Sequence, residues 1–131
     1  MSRLLIVEDQ PDIRRLVRWS LELEPHELHE ASNGAEGLAL ARSVRPDLVL
    51  LDVMMPGDLD GLAVCAQLKA DADLAGVRVV MLTARAQATD KGAALAAGAD
   101  AFLAKPFSPL ELIETIARLL KDAPPQGARA P

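Results

Sequence analysis

The chain has 131 residues, half of them hydrophobic but only 2% aromatic, and 19 acidic against 14 basic side chains give a formal charge of −5. That length predicts one domain, with a core built from Leu, Val, Ile and Ala rather than from rings. The acidic balance without a basic block argues against direct nucleic-acid binding, the single cysteine excludes an internal disulfide, and no apolar run is long enough for a membrane-spanning helix.

In chain order, Leu4-Leu5-Ile6-Val7 reads as a strand buried on both faces, ending in Glu8-Asp9. No leader segment is expected, since strand-like residues begin at Leu4. Pro11 suits the first turn of a helix whose apolar face is Ile13, Leu16, Val17, Ser20 and Leu21. Trp19 falls off that stripe and is expected to be a partly buried packing residue. Glu27 to Ala31 alternates as a half-exposed edge strand would, with His26 and His29 as ordinary surface histidines. After the turn Ser32-Asn33-Gly34, residues Ala35 to Val44 form a second helix, closed by Arg45-Pro46.

Leu48-Val49-Leu50-Leu51 lies between Asp47 and Asp52 and is the next buried strand. Pro56 to Gly61 is loop, and Leu62 to Ala70 is a helix with Asp60 as N-cap and Cys65 as a buried small hydrophobe. Val77 to Leu82 is a fourth strand ending at Thr83, and Ala88 to Ala97 a helix closed by Gly98. Ala101 to Ala104 is a short fifth strand before Lys105-Pro106. Ser108-Pro109-Leu110-Glu111 is a capping box for a last helix with Leu112, Ile113, Ile116, Leu119 and Leu120 on its apolar face. Residues 1–122 are expected to be the domain, and the Pro/Ala-rich 123–131 a disordered tail or linker stub. Strands and helices alternating at this period predict a doubly wound α/β fold, with a parallel five-stranded sheet and right-handed crossovers.

Such sheets gather ligands outside the carboxyl ends of their strands. The polar residues there are Glu8 and Asp9, Asp52, Thr83 and Lys105. Three converging carboxylates raise one another's pKa unless a cation is present, and a hard divalent ion such as Mg2+ resolves that repulsion. Carboxylates with a metal, a lysine and a hydroxyl suit phosphoryl transfer, with Asp52 as the nucleophile forming an acyl phosphate.

In Val7-Glu8-Asp9, Leu51-Asp52-Val53-Met54-Met55-Pro56, Leu82-Thr83-Ala84 and Phe102-Leu103-Ala104-Lys105-Pro106-Phe107 the chain resembles a response-regulator receiver domain of two-component signalling, over about Arg3 to Leu120. The resemblance implies a flavodoxin-like (βα)5 fold with strand order 2-1-3-4-5 and the site between strands one and three. It implies a phosphoacceptor switch rather than an enzyme, with room for intrinsic autodephosphorylation, and the single cysteine together with the expected lack of leader and membrane segments reads as a cytoplasmic domain. Asp52 would accept phosphate from a histidine kinase or a histidine phosphotransfer protein. Asp9, Asp52 and the Met54 backbone carbonyl would hold Mg2+, with Glu8 acting mainly through water. Thr83 and Lys105 would bind the phosphoryl oxygens, and Phe102 would rotate inward with the Thr83 hydroxyl. That motion would remodel the surface of the fourth helix, fifth strand and fifth helix, which in turn would control a downstream protein or an output domain. A cis Lys105-Pro106 bond is implied, the donor would dock near Ile13 and Phe107, and Arg85 would influence water access. One departure stands out: Gly57, Asp58 and Leu59 make three residues between Pro56 and the Asp60-Gly61 pair where the family usually has two.

Two rival readings are a degenerate receiver that binds partners constitutively and a Mg-dependent phosphatase with an aspartyl nucleophile. The intact polar set argues against the first. Gln10-Pro11, where such phosphatases carry a second Asp two residues after the nucleophile, argues against the other.

Overall fold

The computed structural model describes residues 2–22, 24–53, 55, 60–74, 76–83, 92–93 and 95–121. The elements run β1 (Arg3–Val7), α1 (Pro11–Leu21), β2 (Glu27–Ala31), α2 (Gly34–Val44), β3 (Leu48–Asp52), α3 (Gly61–Ala70), a single 3-10 turn (Ala72–Leu74), β4 (Arg78–Thr83), β5 (Ala101–Ala104) and α4 (Pro109–Lys121). Gly92, Ala93, Leu95 and Ala96 are helical, and residues 88–91 and 94 of the helix predicted there lie outside the described residues. All strand pairs are parallel, in the order β2-β1-β3-β4-β5.

The two-residue period of a strand sends alternate side chains to opposite faces, and here both faces are covered. Leu5, Val7, Val49, Leu51, Val79 and Met81 pack with Leu38 and Ala41 of α2 and with Val64, Cys65 and Leu68 of α3. Leu4, Ile6, Leu48, Leu50, Val80 and Leu82 pack with Val17 and Leu21 of α1 and with Leu112, Ile116 and Leu119 of α4. The aliphatic runs therefore build two cores, one on each side of a single sheet. Gly37 lets α2 sit close on β1, because a Cβ there would lie 2.8 Å from both methyl groups of Val7.

The helix ends follow from local chemistry. Asn33 accepts from the Glu36 amide at 2.8 Å, Asp60 from Ala63 at 2.9 Å, and Ser108 from Glu111 at 3.0 Å, each supplying an acceptor to an otherwise unpaired first-turn N–H. Gly98 has φ +101°, the left-handed conformation that favours glycine.

Three expectations are corrected. Trp19 is 66% exposed and Leu16 41% exposed, because α1 turns only Val17 and Leu21 fully onto the sheet. Phe107, expected at a docking surface, is 8% exposed and packs into the core beneath α4. Helices α2 and α3 each start one residue earlier than the sequence pattern suggests, at Gly34 and Gly61.

Candidate functional site

Four of the five strands, β1, β3, β4 and β5, leave the core at one level and deliver a polar residue there. Asp52 is the last residue of β3, in register with Leu82 of β4, and Thr83 is the last of β4, in register with Ala104 of β5. Glu8 and Asp9 follow β1 directly, and the Glu8 amide is held by the Ala31 carbonyl at 3.1 Å. The Lys105 amide donates to the Thr83 carbonyl at 2.6 Å, and the Lys105–Pro106 peptide is cis.

The side chains meet under cover. Glu8 is fully buried, and Asp52 and Thr83 are nearly so. Lys105 Nζ lies 2.7 Å from Glu8 Oε1 and 3.3 Å from Asp52 Oδ1, so one ammonium bridges two buried carboxylates. The other Glu8 oxygen accepts from the Gln10 amide at 3.2 Å. Glu8, Asp9 and the Asp52 carboxylate each offer one oxygen within 4.8 Å of the others.

One lysine does not neutralise this group. Burial first, then the hydrogen bond and charge of Glu8, push the Asp52 carboxyl up to about 7 from an ordinary 3.8; Lys105 opposes the shift without cancelling it. A carboxylate held so far above its usual range, beside two others, has the composition of a hard-cation site. A divalent ion with oxygen ligands would supply the missing positive charge.

Phe102 lies one strand over, paired with Met81, half-buried against the core that contains Leu51 and Val79. Met54, Asp58, Arg85 and the three-residue spacing Gly57 to Leu59 lie outside the described residues. Two contributors went unrecognised in the sequence. Arg14 reaches the Glu8 carbonyl from α1 at 2.8 Å, a contact between elements that no local pattern announces. Gly61 was legible only as the partner of Asp60 in a helix start. A Cβ at Gly61 would stand 2.1 Å from the Asp52 carbonyl oxygen, so α3 begins in direct backbone contact with the end of β3. The Gly61 amide donates to the Val53 carbonyl at 2.9 Å, which locks that approach. Gly61→Ala is expected to cost about 1–2 kcal/mol in urea unfolding, as overpacking does, and to displace Asp52. Unchanged stability and an unchanged Asp52 environment by NMR would refute that close-contact role.

Comparisons with known proteins agree with this geometry. Residues 4–117 match the family model described as Response regulator receiver domain. The chain is 40% identical over 131 residues to the DNA-binding dual master transcriptional regulator RpaA of a Synechocystis strain, covering 98% of this chain and 54% of the relative. It is 38% identical over 122 residues to the transcriptional regulatory protein ResD of Bacillus subtilis, covering 93% and 49%. The chain thus spans about half the length of these curated relatives. Among solved structures, the Vibrio cholerae chemotaxis protein CheY4 superposes with a TM-score of 0.86 at 32% identity, covering 92% of this chain and 99% of that one. The parallel sheet, its strand order and these matches lead to one assignment: the chain belongs to the response regulator receiver domain family of two-component signalling.

Proposed function

We propose that the domain is a phosphoacceptor switch in which Asp52 takes a phosphoryl group from the phosphohistidine of a histidine kinase or a histidine phosphotransfer protein. The observation that carries this reading is the single lysine shared by two buried carboxylates, Lys105 Nζ being 2.7 Å from Glu8 and 3.3 Å from Asp52. An Asp52 carboxylate oxygen forms the new P–O bond while the N–P bond of the donor breaks. The donor imidazole nitrogen keeps that electron pair and takes up a proton. Lys105 then has a new anionic partner within reach, and the Thr83 hydroxyl is a donor for a phosphoryl oxygen. Glu8, Asp9 and Asp52, with the main-chain carbonyl of Met54, would hold Mg2+. When bound, that ion neutralises charge on the phosphoryl oxygens.

Phosphorylation replaces a carboxylate by a group of greater charge and size at the point where β3, β4 and β5 end. Thr83 and Phe102 would relay that change to the surface formed by the helix after β4, by β5 and by α4. Several relatives are named as transcriptional regulators and are about twice as long as this chain. That supports a downstream output domain, or a separate protein, as the recipient of the signal, with residues 123–131 as the linker stub. DNA contact by these residues themselves is not part of the reading. Cytoplasmic placement belongs to the same reading; among the described residues no helix is long and apolar enough to cross a membrane.

Incubation with Mg2+ and a small acyl phosphate is expected to add about 80 Da by intact mass, one HPO3 group. Asp52→Asn should show no adduct. An adduct that persists in Asp52→Asn, or none on the wild type, would sink the assignment.

A further inference from the structure

We propose that Arg14 is a positioning residue for the acidic cluster, clamping Glu8 through its main chain, and that Glu30 on the edge strand holds Arg14 in place. This rests on the reading of Glu8, Asp9 and Asp52 as a divalent-cation site. Arg14 Nη1 donates to the Glu8 carbonyl at 2.8 Å, while its Nε lies 3.4 Å from Glu30 Oε1. The second Glu30 oxygen takes Nη1 of Arg18, one helical turn further along α1. The Glu8 amide is bound in turn by Ala31, the neighbour of Glu30 in β2. Both main-chain polar groups of Glu8 are therefore tied, the N–H to β2 and the C=O to α1, and the Arg14–Glu30 pair closes the ring between those two elements.

The carbonyl that Arg14 holds belongs to the peptide joining Glu8 to Asp9. That unit is planar, so anchoring its oxygen sets the direction in which the Asp9 Cα leaves β1. One guanidinium thus governs how two of the three carboxylates face each other. Its fork suits the task, because it can donate in two directions at once, which an ammonium on a flexible stem does poorly. Arg14 also lines an open cavity of about 280 Å3 with Glu30, Ala31, Ser32 and Glu36. On that side the contacts to Glu8 and Glu30 fix where the guanidinium sits.

Charge and positioning make opposite predictions. A cation near a cation site disfavours the ion, so a purely electrostatic Arg14 would make Arg14→Met bind Mg2+ more tightly. A clamp makes it bind more weakly, and outer partners of metal ligands commonly change affinity by about 10-fold or more. Calorimetric titration of the full chain with MgCl2 separates the two, run beside urea unfolding in EDTA to establish that each variant folds. The expected Mg2+ dissociation constants rise about 10-fold for Arg14→Met and about 3-fold for Glu30→Gln, which leaves Arg14 intact. Arg14→Met/Glu30→Gln should be no weaker than Arg14→Met alone, because Glu30 acts through Arg14. Arg14→Lys, which keeps the charge and one donor, should recover part of the loss. Affinity equal to or tighter than wild type in Arg14→Met, or additive effects in the double variant, would overturn the clamp. No binding by the wild type would overturn the cation-site reading itself and the clamp with it, a failure distinct from unchanged affinity in the variant.

Discussion

Lys105→Met is expected to lower the stability of the protein in EDTA by about 2–4 kcal/mol at pH 8, the range for removing one partner of a buried ion pair when the other can partly relieve itself. Lys105 is the ammonium between Glu8 and Asp52, and Glu8 has no exposure through which water could replace it. Without it, the two carboxylates face one another in a poorly hydrated space. Asp52 offers the relief, since its carboxyl already takes a proton at about 7. The loss should therefore shrink as pH falls toward 6 and grow above 8. Adding Asp52→Asn to Lys105→Met removes one of the two stranded charges, so the double variant should regain about 1–2 kcal/mol relative to strict additivity. Urea midpoints for the four proteins of this cycle, at pH 6 and pH 8, provide the check. If Lys105→Met costs the same at both pH values and adds to Asp52→Asn without coupling, the shared-cation description of this site is wrong.

The pieces of this site differed in how legible they were, for physical reasons. Leu4 to Val7, Leu48 to Leu51 and Val79 to Leu82 announced themselves because a strand covered on both faces has no polar position to interrupt it. The polar residues that end those runs mark the level at which the sheet meets solvent, so the set Glu8, Asp9, Asp52, Thr83 and Lys105 could be collected from order alone. How deeply they are buried could not, because that depends on what α1, α3 and the segment after β5 cover. Helix faces were less reliable: Leu16 shares a spacing with Ile13 and Val17, yet α1 buries Val17 and Leu21 fully on the sheet, with Ile13 partly buried beside them and Leu16 left exposed. Phe107, expected where a donor docks after the fifth strand, is instead buried in the core with Leu112 and Ile116 of α4. Arg14 lies in α1, Glu30 in β2 and Glu8 just past β1, and nothing within any one of those segments signals the contact. Long-range polar contacts of this kind are what a one-dimensional pattern omits, and in this protein one of them ties down the main-chain carbonyl of Glu8.

Asp52→Asn is expected to stabilise the same protein in EDTA, by about 1–3 kcal/mol at pH 8. The folded Asp52 carboxyl holds its proton up to about 7, whereas an unfolded aspartate releases it near the ordinary 3.8. Between those values the native state binds the extra proton, so native stability falls as pH rises through that window. Only well below the ordinary 3.8 are both states protonated, but by pH 4 most of this contribution is gone, so the variant and wild type should differ least at that end of the range. A shift of that size corresponds to roughly 4 kcal/mol at most, at 1.36 kcal/mol per pH unit. Asn takes a negative partner away from Lys105, which offsets part of the gain and leaves the smaller figure. Mg2+ should narrow that gap, since it binds the folded cluster and stabilises it by RT ln(1 + [Mg2+]/Kd), about 1.4 kcal/mol at ten times Kd. That gain belongs to the wild type, while Asp52→Asn, lacking one of the three carboxylates, should gain much less. Urea unfolding from pH 4 to pH 8, with EDTA and with MgCl2, tests both halves. A variant no more stable than wild type at pH 8 in EDTA would mean that Asp52 is not strained by its neighbours. The same buried, crowded carboxylate that is expected to weaken the fold is the group placed to meet a cation and a phosphoryl group, so the expected instability and the proposed chemistry have one structural cause.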